Sequence, residues 1–413
     1  MTKGDVIQGG WSNEHVKQSL DLCLACKGCK SDCPVSVDVA TYKAEFLSHY
    51  YERRRRPLNA YAFGNIDRWA RVASQMPGLV NLATQLPFLR DIAKLAAGIA
   101  PQRRIPPFAP ETFKAWFRRR GPRNAGKAPV LLWPDTFNNY FVPRTAKAAV
   151  EVLETAGFRV FLPKANLCCG RPLYDFGMLE RAQMLLRQIL YALAPAIDQG
   201  MPIVGLEPSC VAVFRDELRN FFPKNQQASR LAQQTFLLSE FLERHAPAFE
   251  LPRLQRKAIV HGHCHHKSIM KMSDEHAVLH RMEIDFQSPA PGCCGMAGSF
   301  GFEHDKYEVS AAIGELELLP AVRKAPPSWL VIADGFSCRE QIAQGTNRHA
   351  LHLAEVIQMA LHSDRDAADE PYPETSSVER QRSDVETSMK RAGAAVGGAA
   401  ILGILLWLAN RSI

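Results

Sequence analysis

The sequence is short of several things, and each shortage narrows the reading. Residues 1–20 hold no apolar stretch of the length a secretory signal requires, so export by that route is not expected. Glycine (26) and proline (27) are too few in 413 residues for a collagen or a low-complexity linker. The basic excess is small, 50 Lys and Arg against 42 Asp and Glu. It lies in local runs, Arg53 to Arg56 and Arg118 to Arg120, instead of a continuous basic face interleaved with aromatics, which argues against a nucleic-acid binder. The eleven cysteines are odd in number, are not spaced as a disulfide framework, and are missing altogether from residues 51–127. In a reducing compartment, thiols clustered in this way mean metal or redox chemistry.

The densest cluster is Cys23, Cys26, Cys29 and Cys33, followed by Pro34. This is the C-x2-C-x2-C-x3-C-P run of bacterial iron–sulfur proteins, and it points to a [4Fe–4S] cluster. Cysteines at this spacing on a tight turn aim three thiolates at three corners of one cubane, and the proline redirects the fourth. Zinc is the competing reading, but structural zinc sites usually join one C-x2-C to a second, distant pair. Either all four thiolates hold one cluster, or Cys33 serves a cluster completed by another polypeptide. Lys27 and Lys30 lie between the ligands, either offsetting cluster charge or simply solvated.

Residues 128–362 form an internal repeat in which strands alternate with helices, the pattern of parallel α/β layers. Expected strands are Val130–Asp135, Phe158–Lys164 and Pro202–Glu207 in one half, and Ala258–His263, Glu283–Ser288 and Trp329–Asp334 in the other. Cys168-Cys169-Gly170 answers Cys293-Cys294-Gly295, and Ser209-Cys210 answers Ser337-Cys338. Cysteines at the C-terminal ends of parallel strands sit where open α/β sheets bind ligands. Cys264, Cys293, Cys294 and Cys338 supply four soft ligands in the second half, suited to a second iron–sulfur centre. The first half has only Cys168, Cys169 and Cys210, a degenerate set, with Asp135 to Asn139 where Cys264 would fall. His261, His263, His265 and His266 read either as metal ligands or as hydrogen-bonding neighbours of a cluster. Glu207, Asp334, Arg171 and Arg339 flank the same strand ends.

The segments LCLACKGCKSDCPVSVDVATYKAEF, NLCCGRPLYDFG, GLEPSC, HGHCHHK, PGCCGMAGSFGFE and DGFSCREQ resemble the iron–sulfur, cysteine-rich (CCG) portion of FAD-linked 2-hydroxy-acid dehydrogenases, the glycolate oxidase iron–sulfur subunit and D-lactate dehydrogenase type. The resemblance runs from about residue 15 to 362. It implies an electron-transfer subunit that takes electrons from a flavin and hands them to the respiratory chain, often to quinone. Family members usually carry a second Cys run, and in fused form a flavin domain. This chain shows neither, so FAD is expected on a partner chain and no dehydrogenase activity without that flavoprotein. The related heterodisulfide reductase subunits suggest the alternative of a thiol/disulfide redox subunit. Their C-x-x-C, however, is here interrupted by Glu207 and Gly335.

Residues Ala392 to Ala409 run eighteen positions without a charge, about 27 Å of helix and close to a bilayer core. Lys390 and Arg391 precede them, which predicts a cytoplasmic face and a single-pass anchor in the cell membrane. The fold class expected is thus α/β. Residues 1–50 form a helical ferredoxin-type domain and 51–127 an amphipathic helical region. Two CCG units at 128–250 and 251–362 follow, then a polar linker at 363–389 and a C-terminal transmembrane helix at 390–413.

Overall fold

A computed structural model describes residues 7–289, 292–362 and 371–411, with side chains described as far as residue 398. Short continuous apolar runs, buried on both faces, build the strands at the centre of each repeat. In the first, β1 (Pro129–Trp133), β2 (Arg159–Phe161), β3 (Ile203–Gly205) and β4 (Thr235–Leu237) form a parallel sheet in the order β2-β1-β3-β4. In the second, β5 (Lys257–Val260), β6 (Asp285–Gln287) and β7 (Leu330–Ile332) pair in the order β6-β5-β7, also parallel. A parallel bridge from Ile332 to Leu351 stands where β4 stands in the first sheet. Helices predominate elsewhere.

Successive side chains on a strand point to opposite faces, so each sheet has two apolar layers to satisfy. Val130 and Leu132 of β1, Ala258 and Val260 of β5, and Leu330 and Ile332 of β7 enter one core common to both repeats. The helices Pro143–Thr155 and Leu353–His362 close that core. Leu131 and Trp133 face the other way, into a layer with Cys169 and Cys210. Ile259 and Val331 do the same beside Cys294 and Cys338. The two sheets are thus back to back, and each carries its cysteines on its outer layer.

Before β1 lie the short helices that bear the Cys run and the cysteine-free region. The helix Val39–Tyr50 meets the first repeat at Gly177, whose φ of +65° is one that L side chains rarely adopt. A Cβ built there would lie 2.6 Å from both Leu47 Cβ and Ser48 N.

The C-terminal expectation needs correction. Residues Thr375–Arg411 are one helix, so the segment 375–389 is helical where a polar linker was expected. The start of that linker, 363–370, lies outside the described residues. The helix lies across the helix Pro77–Gln85: a Cβ at Gly78 would sit 2.5 Å from the Ser388 carbonyl and 2.9 Å from Ala392 Cβ. Val385 is buried, Gln381 donates to the Phe141 carbonyl at 2.9 Å, and Glu374 pairs with Arg348 at 2.7 Å. Among the described residues no helix is long and apolar enough to cross a membrane. The expected transmembrane helix, and the cell-membrane placement with a cytoplasmic-face single-pass anchor, are therefore withdrawn. Ten of the eighteen residues Ala392 to Ala409 are glycine or alanine, which bury little apolar area each. The side chains of its most apolar part, Ile401 to Leu408, lie outside those described.

Gly177→Ala must separate the helix Val39–Tyr50 from the first repeat. A loss of about 1–3 kcal/mol is expected, read as a lower denaturant midpoint for the otherwise unchanged protein.

Candidate functional site

The Cys run starts where the helix Glu14–Asp21 stops, with the Cys23 N–H bonded to the Leu20 carbonyl at 3.0 Å. Two residues within it, Ala25 (φ 53°) and Lys27 (φ 61°), take left-handed backbone angles without being glycine. Such strain persists only where the surroundings fix it. Lys27 supplies the reason. Its side chain is wholly buried, and Nζ lies 2.7 Å from Asp38, 2.9 Å from Asp216 and 3.1 Å from Glu217. Lys30 also pairs with Asp216, and Arg171 reaches Glu217 at 2.7 Å. Burial alone would lower the Lys27 pKa, but Glu217 and Asp216 outweigh it and hold the ammonium above its ordinary value. The two lysines between the ligands are therefore bolts into the first repeat.

Three thiols of the run stand close together. Burial pushes the Cys23 thiol up, and Cys26 and Cys29 beside it push the same way. Cys29 Sγ accepts from the Val39 N–H at 3.4 Å. At Cys33 the backbone N–H groups of Val37, Val35 and Ser36 lower the thiol pKa.

In the second repeat, Cys264 Sγ lies 3.5 Å from Cys293 Sγ, and the Cys293 and Cys338 thiols both act on that of Cys294. Cys293 Sγ accepts from the Gly295 N–H at 3.3 Å. One ligand atom each of His261, Cys294 and Cys338 fall within 4.8 Å of one another, and the buried His261 Nε2 has no hydrogen-bond partner. The Cys338 hydrogen bond and burial push the Cys294 thiol up to about 12, against a lowering by Cys293. In the first repeat Cys169 Sγ and Cys210 Sγ are 3.0 Å apart, and Thr136 Oγ1 donates to Cys168 Sγ at 3.8 Å. Cys169 lowers the Cys210 thiol, but burial with Asp135 and Glu207 pushes it up to about 11. Registers Leu131↔Ile203 and Ile259↔Val331 place Thr136 where the second repeat has Cys264.

All eleven cysteines are free thiols. Buried thiols packed this closely do not deprotonate unaided; a soft metal centre supplies the positive charge that lets them. The second-repeat set and the first three cysteines of the run fit such a centre. The first-repeat set, one thiol short, offers less.

The run and the second repeat also meet. Cys26 and Cys264 line the same cavity, and the Cys264 thiol beside it brings Cys26 down to about 6. No pattern along the chain signals that proximity. The cavity, of about 200 Å³, opens between the two repeats. Phe63, Ile66, Phe108, Phe137 and Phe336 wall it, while Cys26, Cys169, Cys210 and Cys264 reach it from three sources. Phe137 and Phe336, one from each repeat, stack at 4.3 Å. Glu207, expected at the strand ends beside Asp334, Arg171 and Arg339, has a bracing role that the sequence did not show. Its carboxylate accepts from Ser209 N at 3.3 Å and from Phe336 N across the repeats at 2.8 Å. It therefore caps its own helix and fixes the start of the Cys338 helix. Asp334 accepts from Leu353 N, and Arg339 donates to the Asp334 carbonyl, so neither is a free tuning charge.

Paired α/β units carrying Cys-Cys-Gly corners at a shared cavity define a cysteine-rich protein of redox type. The family model described as a cysteine-rich domain, CCG, matches residues 136–215. Residues 136–215 thus carry a CCG cysteine-rich domain, and over most of its length the chain is similar to proteins of the kind its motifs resemble. It is 29% identical over 363 residues to a D-2-hydroxyglutarate dehydrogenase of Pseudomonas putida, covering 84% of this chain and 34% of that one. It is 26% identical to a subunit of the anaerobic glycerol-3-phosphate dehydrogenase of Escherichia coli, covering 75% and 79%. To lactate utilization protein A of Bacillus velezensis it is 28% identical, covering 55% and 98%. The chain spans about a third of the length of the D-2-hydroxyglutarate dehydrogenases it matches.

Replacing Lys27 by Met removes the one buried cation shared by Asp38, Asp216 and Glu217, leaving Lys30 for Asp216 and Arg171 for Glu217. A loss of about 3–5 kcal/mol is expected, seen as a lower unfolding midpoint. An unchanged midpoint would mean the run is not anchored by this charge.

Proposed function

We propose that this chain is the iron–sulfur electron-transfer component of an FAD-linked dehydrogenase oxidising a 2-hydroxy acid of the glycolate or D-lactate type. It takes electrons from a flavoprotein partner and delivers them to an acceptor of the quinone kind. The observation that carries this reading is the placement of Cys26 beside Cys264 at one cavity, which joins the ferredoxin-type run to the second Cys-Cys-Gly site. The D-2-hydroxyglutarate dehydrogenases act, by name, on a 2-hydroxy acid, and two thirds of their length lies outside the similarity. The glycerol-3-phosphate relative is, by name, one subunit of a dehydrogenase. Both facts support a division of labour in which substrate oxidation is done elsewhere.

In this reading Cys23, Cys26 and Cys29 hold a [4Fe–4S] cluster, and Cys264, Cys293, Cys294 and Cys338 a second centre. Iron–sulfur groups supply one-electron exchange, at a potential tuned by nearby charge and hydrogen bonds. The chain's own residues provide those tuning elements: backbone N–H groups aimed at sulfur, and cations held by Asp216 and Glu217. The aromatic walls of the cavity keep water away and suit the face of a planar ring. Glu207 and His263, 3.9 Å apart, are polar groups facing such a ring.

The test is anaerobic expression, with iron, acid-labile sulfide and zinc measured per chain and low-temperature EPR of the reduced protein. Wild type should hold at least about four irons. Cys26→Ser should lose a cubane signal, Cys293→Ser a distinct one, and Cys33→Ser should keep more iron than Cys26→Ser. Zinc in place of iron, in protein never exposed to air, would reject the proposal.

A further inference from the structure

A second donor cluster lies behind the thiols, facing away from the cavity. Two residues past Cys264 the chain makes one turn of π-helix, His266–Met270, a local geometry often found at functional sites. His266 is fully buried, and its Nδ1 is 3.2 Å from Glu275 Oε2 on the helix Ser273–Arg281. Asp334, just past β7, completes the group: one ligand atom from each of the three lies within 4.8 Å of the others. None of the three lines the cavity between the repeats.

The group is unsatisfied as it stands. His266 Nε2 is buried without a hydrogen-bond partner, and His266 Nδ1 and Glu275 Oε2 have nothing beyond their ion-pair contact with each other at 3.2 Å. Buried polar atoms are almost always satisfied, so an orphaned ring nitrogen in a cluster with two carboxylates points to a missing ligand. Two carboxylates here share a dry pocket, and among the described residues their ion-pair partners are histidines, His266 for Glu275 and His352 for Asp334. His352 is already engaged, with Nε2 at 3.0 Å from the Leu206 carbonyl and Nδ1 accepting from Ala354 N. Asp334 is oriented in advance by the Leu353 N–H at 2.9 Å. The repeat does not demand these residues, since the first-half positions equivalent to His266 and Asp334, set by the two strand registers, are Asn138 and Leu206.

We propose that His266, Glu275 and Asp334 bind one divalent first-row transition-metal ion, through an imidazole nitrogen and two carboxylate oxygens, at a closed site separate from the thiol centres. Mixed nitrogen and oxygen donors of this kind suit zinc, iron(II) or manganese. The ion offsets two buried negative charges and ties the turn after Cys264 to the helix Ser273–Arg281 and to the end of β7. Its role is structural: it holds the Cys264 thiol in place from behind.

The experiment uses the cluster-loaded full chain, kept anaerobic and titrated with zinc chloride alone. X-ray absorption at the zinc edge should show about one zinc per chain in a nitrogen and oxygen shell near 2.0 Å, without the 2.3 Å sulfur distance. The melting temperature should rise with zinc. Glu275→Gln and Asp334→Asn should each weaken zinc binding at least tenfold and abolish that rise, while iron and sulfide per chain stay unchanged. Wild-type protein that binds no zinc, or binds it with sulfur neighbours, would overturn the proposal without recourse to either variant. So would a Glu275→Gln protein that melts at or above wild type and takes up zinc as before, the result expected if the two carboxylates merely share a proton.

Discussion

A single buried ammonium group organises this molecule. Lys27 lies inside the Cys run, in a backbone conformation that costs energy, and gives its charge to Asp38 at the start of the helix Val39–Tyr50 and to Asp216 and Glu217 of the first repeat. Buried ion pairs are seldom a net source of stability, because removing each charge from water is expensive. What they fix is geometry. Here the geometry is the placement of Cys26 beside Cys264, a contact between segments more than two hundred residues apart. The network pins the run to the first repeat, and the run in turn reaches the thiols of the second.

The two repeats share one core and differ at their outer faces. Backbone and apolar pattern are reproduced, down to the bridge at Leu351 that stands for β4. The donor atoms are not. Thr136 stands where Cys264 would be, Leu206 where Asp334 would be, and Glu207 where the other repeat has Gly335. Each substitution removes a ligand from the first half or gives its residue a bracing task, as Glu207 does in capping the Cys338 helix. Duplicated folding units keep what packing requires, and only one of them needs to keep the chemistry.

Much of this was visible in the residues, and the failures have physical causes. The six strands read from the repeating strand–helix pattern lie within the segments expected for them, give or take a residue at β1 and β5. β4 was missed because Thr235–Leu237 is three residues long and is followed at once by a helix, leaving no periodicity to detect. The grouping of Cys293, Cys294, Cys338 and Cys264 followed from strand ends, a local argument. The Cys26 contact, the burial of Lys27 and the His266 cluster depend on how distant segments dock, which spacing along a chain does not encode. The C-terminal anchor failed for a different reason. An uncharged run was counted by length, whereas membrane insertion depends on apolar area, and glycine and alanine bring little of it.

The Lys27 to Asp216 pair has a consequence for how the protein is made. The partners are 189 residues apart in sequence. At ordinary rates of synthesis, that is roughly ten to forty seconds of elongation during which the Cys run is outside the ribosome without its counter-ions. Through that interval the segment has no fixed docking surface, its strained turns have nothing to hold them, and its thiols are open to oxidation. A cluster of the kind proposed for the run would be most secure if loaded after the first repeat has folded, as a late step in the life of the chain. Oxygen exposure during translation then does its harm before the protein has any activity to lose.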